Sequence, residues 1–429
     1  MGPCAEIICV GDELLTGDTI DTNSAEIGRF LRLRGIAARR AVSVADATSA
    51  IAGALAQAGE ADLCVVTGGL GPTRDDLTAA ALARAAGVDR VRSPVALAAV
   101  EAALARRGRG LDPIQLRQAE IPAGAEVIAN PRGIAPGFAL EIDGRLVIAL
   151  PGVPEEVRAM LAGDVGALLE RRFGALARVR ARRILRCFGL REAEVAARVE
   201  PVVDALRGDG PELDPLVIHY RAAGPEVDLT LDVEGIPAAA ADRLERRLRA
   251  ALGDACYAVG EVELSARIAA ILIAHGLTLG TAESCTGGRV AAAMTANAGV
   301  SACFHGAVVA YDNAIKAAVL GIPMAVIEGH GAVSEPVARG MAAGVRAALA
   351  GHADIGVGIT GIAGPGGGSD AKPVGTVDIA VDDGEASRYR RFHFRGDRPT
   401  IQRQATQWAL WMVFHRLRER GLSSVSVVD

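Results

Sequence analysis

Lysine is almost missing from this chain. Of 46 basic side chains only Lys316 and Lys372 are lysine, and the other 44 are arginine. An exposed ammonium can be exchanged for a guanidinium at little cost. A lysine that must lose its proton cannot, because arginine stays charged at any accessible pH. The two survivors therefore invite a chemical reason. Aromatic residues are scarce as well, at 3%, which speaks against a surface of base-stacking platforms. Excess positive charge is lacking: the formal net charge is −5, so no dominant nucleic-acid footprint is indicated. The seven cysteines are odd in number and include no Cys-x-x-Cys pair, which gives no sign of a zinc or redox centre and places the chain in a reduced compartment. Long apolar runs are absent, the best candidate, IAAILIAHGLTLG, being broken by His275. The N-terminal AEIICV carries no cationic leader, and position 6 is Glu where a myristoylation signal wants Ser or Thr. A cytoplasmic protein without a membrane role is expected.

Half of the 429 residues are apolar, enough for real cores, and the length suggests about two to four domains. Over residues 1–170, short apolar strands (EIICVG, DLCVVTGG, LVIAL) alternate with helical stretches such as SAEIGRFLRLRG. This predicts a mostly parallel sheet covered on both faces. Residues 171–260 read as a small α+β module, with RRILRCFG, LVIHYRA and EVDLTLDV as strands and two amphipathic helices. Residues 261–429 return to alternation, with GAVVAY, DIGVGIT and TVDIAV as strands. The fold class is thus α/β: two α/β domains joined by a small α+β domain. No fixed-period repeat is present.

Two constellations carry chemistry. In the first, GDELLTGDTIDTN and TGGLGPTRDDLT each follow a strand. Ligands bind at that edge of an open α/β sheet, and glycines there let backbone N–H groups approach a phosphate. Asp12, Glu13, Asp21, Asp75 and Asp76 bring carboxylates to the same edge, which would repel a phosphate unless a hard divalent cation, Mg²⁺ or similar, bridged them. Gly68, Gly69, Gly71 and Asn23 are candidate substrate contacts. The plainer alternative makes the glycines tight turns and the acids helix caps, Asp75 or Asp76 before LTAAALARAAG above all.

In the second, TAESCTGGR offers Ser284 at the end of a strand or the start of a helix. By itself this fits an N-cap followed by packing glycines. Lys316, in VVAYDNAIKAAVLG, changes the reading. A lysine made neutral by burial can take the proton of a serine hydroxyl, as in Ser-Lys hydrolases. ITGIAGPGGG, with Thr360, Gly361 and Gly364, suits the presentation of N–H groups to an oxyanion or phosphate. Tyr311 lies five residues before Lys316 and is either a site residue or a core-edge tyrosine. Arg398 in RGDRPTIQ could clamp a phosphate or be a solvated surface charge. Lys372 is assigned to binding or loop ordering. Cys285 is the rival nucleophile, but no histidine stands near it in these motifs, and a buried small-hydrophobe role is preferred.

GDELLTGDTIDTN, TGGLGPTRDD, NPRGIAPGF and PGVPEEV resemble the molybdopterin-biosynthesis-like N-terminal domain of the competence/damage-inducible protein A (CinA) family. AESCTGG, VVAYDNAIK, HGAVSE, TGIAGPGGG, KPVGTV and GDR resemble that family's C-terminal nicotinamide-nucleotide amidase domain. The resemblance implies metal-free hydrolysis of nicotinamide mononucleotide to nicotinic acid mononucleotide and ammonia. Ser284 would be the nucleophile and Lys316 the base, with Tyr311, Thr360, Thr286, Gly287, Gly288 and Arg398 at the site. It further implies a metal-dependent ADP-ribose pyrophosphatase in the N-terminal domain, pyridine nucleotides as ligands and a homodimer. The middle module resembles a KH-type domain, but it offers RGDG at 207–210 and no Gly-x-x-Gly loop, so nucleic-acid binding is not expected. The rival reading is a nucleotide-binding adaptor for competence or DNA repair with a degenerate N-terminal site. Such an adaptor should have lost the serine, the lysine or the acids, and all are present.

Overall fold

The computed structural model describes residues 2–174, 181–349 and 353–422. It divides into two compact units, Met1–Arg180 and Ala181–Asp429. In the first unit the central strands are apolar on both faces. Ile7, Val65 and Ile148 pack into one core with Ile27, Leu31 and Met160, while their neighbours Ile8, Val66 and Val147 pack into another with Ile51, Leu55 and Leu82. Strands buried on both sides are the mark of a sheet sandwiched between helices. The sheet has six strands in the spatial order Ala37–Val44, Cys4–Val10, Leu63–Thr67, Arg145–Leu150, Gly137–Ile142 and Glu126–Ile128. The first four are parallel and the last two run antiparallel. The expected boundary at residue 170 falls inside the helix Gly166–Phe173, whose Leu168, Leu169 and Phe173 are buried in this unit's core.

The second unit holds both remaining segments. Four antiparallel strands, in the order Val217–Ala223, Glu226–Asp232, Arg182–Phe188 and Cys256–Val259, carry the helices Glu192–Gly208 and Ala238–Leu252. Along the chain this is β-α-β-β-α-β, the split-βαβ arrangement, so the strand order by itself carries that description and not a KH one. The expected separation at residue 260 is not a break in packing. Phe188 stacks on Trp411 at 4.6 Å and meets Trp408 edge-on at 5.0 Å, which places both of the chain's tryptophans at this junction. Arg186, almost wholly buried, crosses the seam to Glu263 at 2.7 Å while pairing with Asp228 and Glu226 on its own sheet.

The C-terminal sheet has five strands in the order Phe304–Val309, Leu279–Glu283, Ile355–Gly361, Thr376–Asp382 and Ser387–His393. The first three are parallel and the last two antiparallel. The long helix Arg398–Glu419 buries Ile401, Ala405, Ala409, Val413 and Leu417, residues four apart that form one apolar stripe. Among the described residues no helix is long and apolar enough to cross a membrane. The run broken by His275 is the helix Leu264–Ala274, capped at that histidine.

Candidate active site

Three loops leave the carboxyl ends of the three adjacent parallel strands of the C-terminal sheet, and each brings a motif. Leu279–Glu283 leads directly into Ser284, Ile355–Gly361 ends on Thr360 and Gly361, and Phe304–Val309 is followed by Ala310 and Tyr311. This is the edge where ligands gather in open α/β sheets. The Ser284 amide donates to the Ile359 carbonyl at 2.9 Å, which locks the serine beside the neighbouring strand. Ser284 is 8% exposed.

Lys316 sits on the helix Asn313–Leu320, capped by the Asp312 carboxylate, which accepts from the Ala314 amide at 2.7 Å. It is 2% exposed, among the largest fully buried side chains of the protein. Burial lowers its pKa from the ordinary lysine value, against an opposing pull from Asp312 and Cys285. Its ammonium nitrogen donates to the Tyr311 carbonyl at 3.2 Å and to Asn313 Oδ1 at 3.5 Å. A neutral amine has two N–H bonds and one lone pair. Two acceptor partners would therefore occupy both hydrogens and leave the lone pair free to receive a proton.

The loop bearing Ser284 is held by a residue that motif reasoning passed over. Glu283 is fully buried, and its carboxylate accepts from the amides of Gly288, Val290 and Ala291 at 3.0, 3.1 and 2.9 Å and from the Thr281 hydroxyl at 3.3 Å. It thereby satisfies the orphan donors at the start of the helix Arg289–Thr295. Gly288, at φ +92°, turns the chain into that helix, in a region that a Cβ disfavours. Gln402 adds a second tie by donating to the Cys285 carbonyl at 2.8 Å. The acid was visible in AESCTGG, but nothing in one sequence says that its partners are backbone amides. The Thr286 hydroxyl is buried and has no hydrogen-bond partner among the described residues. Cys285 is buried too, and burial pushes its thiol up to about 12, so the reactive thiolate is suppressed.

Arg398 joins the remaining motifs: it donates to the Tyr311 hydroxyl at 2.6 Å and to the Gly364 carbonyl at 2.7 Å. Tyr311 itself is 60% exposed, so the core-edge alternative does not describe it. Thr360 is turned to a structural bond, its hydroxyl donating to the Ala332 carbonyl at 2.8 Å. Lys372 reaches the same loop, donating to the carbonyls of His330 and Val333 at 3.1 and 2.7 Å. Its contacts are thus those of a residue that orders a loop.

The N-terminal cleft is different in kind. A cavity of about 680 Å³ is lined by Gly68, Gly69 and Gly71 together with Glu13, Asp46, Asp75 and Asp76, and by Arg107 and Arg109. Gly68 is needed for close approach: a Cβ there would meet the Val10 carbonyl oxygen at 2.2 Å. Three expected site residues have other duties and do not line the cavity. Asn23 is a buried clamp, donating to the Gly152 carbonyl at 2.8 Å and to Thr67 Oγ1 at 3.2 Å. Asp21 caps the following helix; although burial works the other way, bonds from Ser24, Cys9 and Asn23 hold its carboxyl below the usual value. Asp12 exchanges bonds with the Asp46 segment, accepting from the Asp46 amide at 3.2 Å while its own amide donates to Asp46 Oδ2 at 2.8 Å. Asp76 lines the cavity but is tied to the loop, accepting from the Gly71 amide and from the Thr73 amide and hydroxyl.

Among the described residues no three His, Cys, Asp or Glu side chains converge as a metal cage. The acids nevertheless feel one another: burial raises the Asp46 pKa, and the charges of Asp12, Glu13 and Asp75 add to the rise. That donor set suits a cation that takes most of its oxygens from a phosphate and water, as Mg²⁺ does, and does not suit an all-protein cage. Asp46 follows the strand Ala37–Val44 on the same edge, a position that the alternation of strands and helices could have flagged. Arg107 and Arg109 carried no signal in so arginine-rich a chain.

One unit thus carries a glycine-and-carboxylate cleft at the edge of a mostly parallel sheet, and the other a strand-end serine and a buried lysine, in a two-unit α/β protein. The chain belongs to the CinA family. Residues 6–170 match the model of a probable molybdopterin binding domain and residues 261–417 match the CinA C-terminal domain. A CinA-like protein of Anaeromyxobacter sp. (strain Fw109-5) is 42% identical over 96% of this chain and 99% of its own length. One from Gloeobacter violaceus is 41% identical over 98% of this chain and 100% of its own. Among solved structures, competence damage-inducible protein A of Klebsiella pneumoniae is 40% identical, covering 36% of this chain and 95% of that one, with a TM-score of 0.35.

Proposed function

We propose that the C-terminal site is a nicotinamide-nucleotide amidase that converts nicotinamide mononucleotide to nicotinic acid mononucleotide and ammonia. The observation that carries this reading is Lys316: one of two lysines in the chain, buried, depressed in pKa and hydrogen-bonded only to acceptors. Ser284 Oγ attacks the carboxamide carbon as its proton passes to Lys316 Nζ. The tetrahedral intermediate collapses, the C–N bond breaks, and the proton goes from Lys316 to the departing nitrogen, releasing ammonia and leaving an ester on Ser284. Water, activated by the neutral lysine, then cleaves that ester and restores the serine. Thr286, whose buried hydroxyl has no partner among the described residues, is suited to donate to the substrate. Arg398 keeps donors in hand for a phosphate beyond its two bonds to Tyr311 and Gly364.

The N-terminal cleft is read as a metal-dependent ADP-ribose pyrophosphatase. Glu13, Asp46 and Asp75 would hold a divalent cation, which supplies charge neutralisation at the diphosphate, while Arg107, Arg109 and the glycine loop orient the phosphates. Together the two activities make a pyridine-nucleotide salvage enzyme. The deciding experiment incubates the purified full-length protein separately with nicotinamide mononucleotide and ADP-ribose, with and without chelator, and identifies the products. Ammonia and nicotinic acid mononucleotide are expected in both conditions, and AMP with ribose 5-phosphate only without chelator. No turnover of either compound would return the chain to the adaptor reading.

A further inference from the structure

The chain has no Cys-x-x-Cys spacing, yet the fold sets two cysteines opposite each other. Cys187 on the strand Arg182–Phe188 and Cys256 on the strand Cys256–Val259 are register partners on adjacent antiparallel strands of the split-βαβ module. Residues directly opposed in such a pair turn their side chains to the same face. Both belong to the module's core, Cys187 fully buried and Cys256 partly so. The register irregularity falls one residue later, at Tyr257, and leaves the pair opposed. The other strand cysteines have no such neighbour: Cys4 pairs with Ala37, Cys9 with Ser43 and Thr67, and Cys64 with Glu6 and Val147.

Directly opposed residues of an antiparallel pair have Cα atoms about 4.5–5.5 Å apart, and a disulfide spans about 4.4–6.8 Å. The strand pairing thus sets the separation that the bond needs. The two thiols also act on each other. Hydrogen bonding from Cys187, helped by the charge of Arg249, holds the Cys256 thiol below its ordinary value although burial works the other way, while the same contact and burial push Cys187 up. Cys256 is therefore the better nucleophile of the two and Cys187 the partner that keeps its proton. Cys256 also lines a cavity of about 410 Å³ on the seam with the C-terminal domain, beside Arg249 and Arg418, which gives a reagent a way in.

We propose that Cys187 and Cys256 form a reversible disulfide, made by exchange with a small-molecule disulfide that enters through this cavity. The Cys256 thiolate attacks one sulfur of R–S–S–R, that S–S bond breaks, and one R–S⁻ leaves. Cys187 then gives up its proton and attacks the Cys256 sulfur, the mixed disulfide breaks, and the second R–S⁻ leaves. Two electrons pass to the small disulfide, whose halves depart as thiols carrying the two protons that the cysteines have lost. In a reducing compartment such a bond is transient and redox-sensing. It would close a loop that holds both helices of the module, Glu192–Gly208 and Ala238–Leu252. It would also fasten the edge strand beside Phe188, the residue that packs on Trp408 and Trp411. Oxidation thus staples the module at the seam.

The test equilibrates folded full-length protein with glutathione disulfide and reduced glutathione over a range of ratios, alkylates the remaining thiols and maps them by peptide mass spectrometry. A peptide cross-linked through Cys187 and Cys256 is expected, lost on adding dithiothreitol, with Cys4, Cys9, Cys64, Cys285 and Cys303 alkylated. The cross-linked protein should melt at least about 4 °C higher. Cys187→Ala should stop at the mixed disulfide on Cys256, and Cys256→Ala should leave Cys187 unmodified; neither variant should gain stability on oxidation. Absence of the cross-linked peptide at the most oxidising ratio, or its formation only after unfolding in denaturant, overturns the proposal. A glutathione adduct on Cys187 in Cys256→Ala would overturn the order of attack, and an unchanged Tm in cross-linked protein would overturn the staple.

Discussion

The N-terminal cleft and the C-terminal site are both built at the carboxyl edge of a parallel sheet, yet they use ionisable groups in opposite ways. In the C-terminal domain one lysine is taken out of water and, among the described residues, forms no ion pair, and burial works against its charged form. In the N-terminal cleft Asp12, Asp21, Asp46 and Asp76 all accept from backbone amides, and Glu13, Asp46 and Asp75 line the cavity. On the proposed mechanism burial turns a single side chain into a base, whereas the open carboxylate cluster would become reactive only when a cation and a phosphate complete it. The first site is therefore legible from its own atoms, and the second depends on what enters it.

Chelation should break this symmetry most sharply, abolishing ADP-ribose cleavage while leaving ammonia release from nicotinamide mononucleotide intact. Loss of ammonia release from protein that is still folded by circular dichroism would refute the division. Ser284→Ala is expected to lower the amidase kcat by about 10³-fold or more, because the covalent route disappears. Cys285→Ala should retain most of it, and the opposite ranking would move the nucleophile to the thiol.

Lys316→Arg keeps the charge and removes the basicity. It should fold normally and lose about 10²–10⁴-fold in kcat, where a surface lysine would tolerate the change. The same assignment fixes the pH profile. A base must be neutral, so activity is present above the folded-state pKa of Lys316 and lost as pH falls through it. Because burial lowers that pKa, the acid limb should lie below the ordinary lysine value of about 10.4. An acid limb at or above that value would remove Lys316 from the mechanism.

Glu283→Gln should act on stability first. An amide retains one acceptor oxygen but turns an NH₂ group toward backbone donors, and the loss of charge-assisted bonds at a buried site should cost about 2 kcal/mol, read as a lower Tm. A Tm equal to that of the parent would mean that the loop is held by other contacts. The smallest effect belongs to Lys372→Arg, which should raise KM before it alters kcat, since Lys372 binds loop carbonyls and not the serine. A selective fall in kcat would promote it to the chemistry.

Much of this was readable without coordinates. Strand and helix alternation defined the α/β class, and the replacement of lysine by arginine singled out Lys316, because composition reveals where an otherwise free exchange has been refused. Motif order marked Ser284, Lys316, Tyr311, Thr360 and Arg398 as candidates, which the fold distributes over strand ends, the strand Ile355–Gly361 and the starts of two helices. Only the tertiary structure decided that Lys316 is buried, that Asn23 clamps the Gly152 carbonyl, and that Asp46 belongs to the cleft. It alone showed that Glu283 holds the serine loop and that the middle module packs through Phe188 onto Trp408 and Trp411. Residue type limits which bonds a side chain can make. Which of them it does make depends on neighbours distant in sequence, and on how much water remains around it once they are in place.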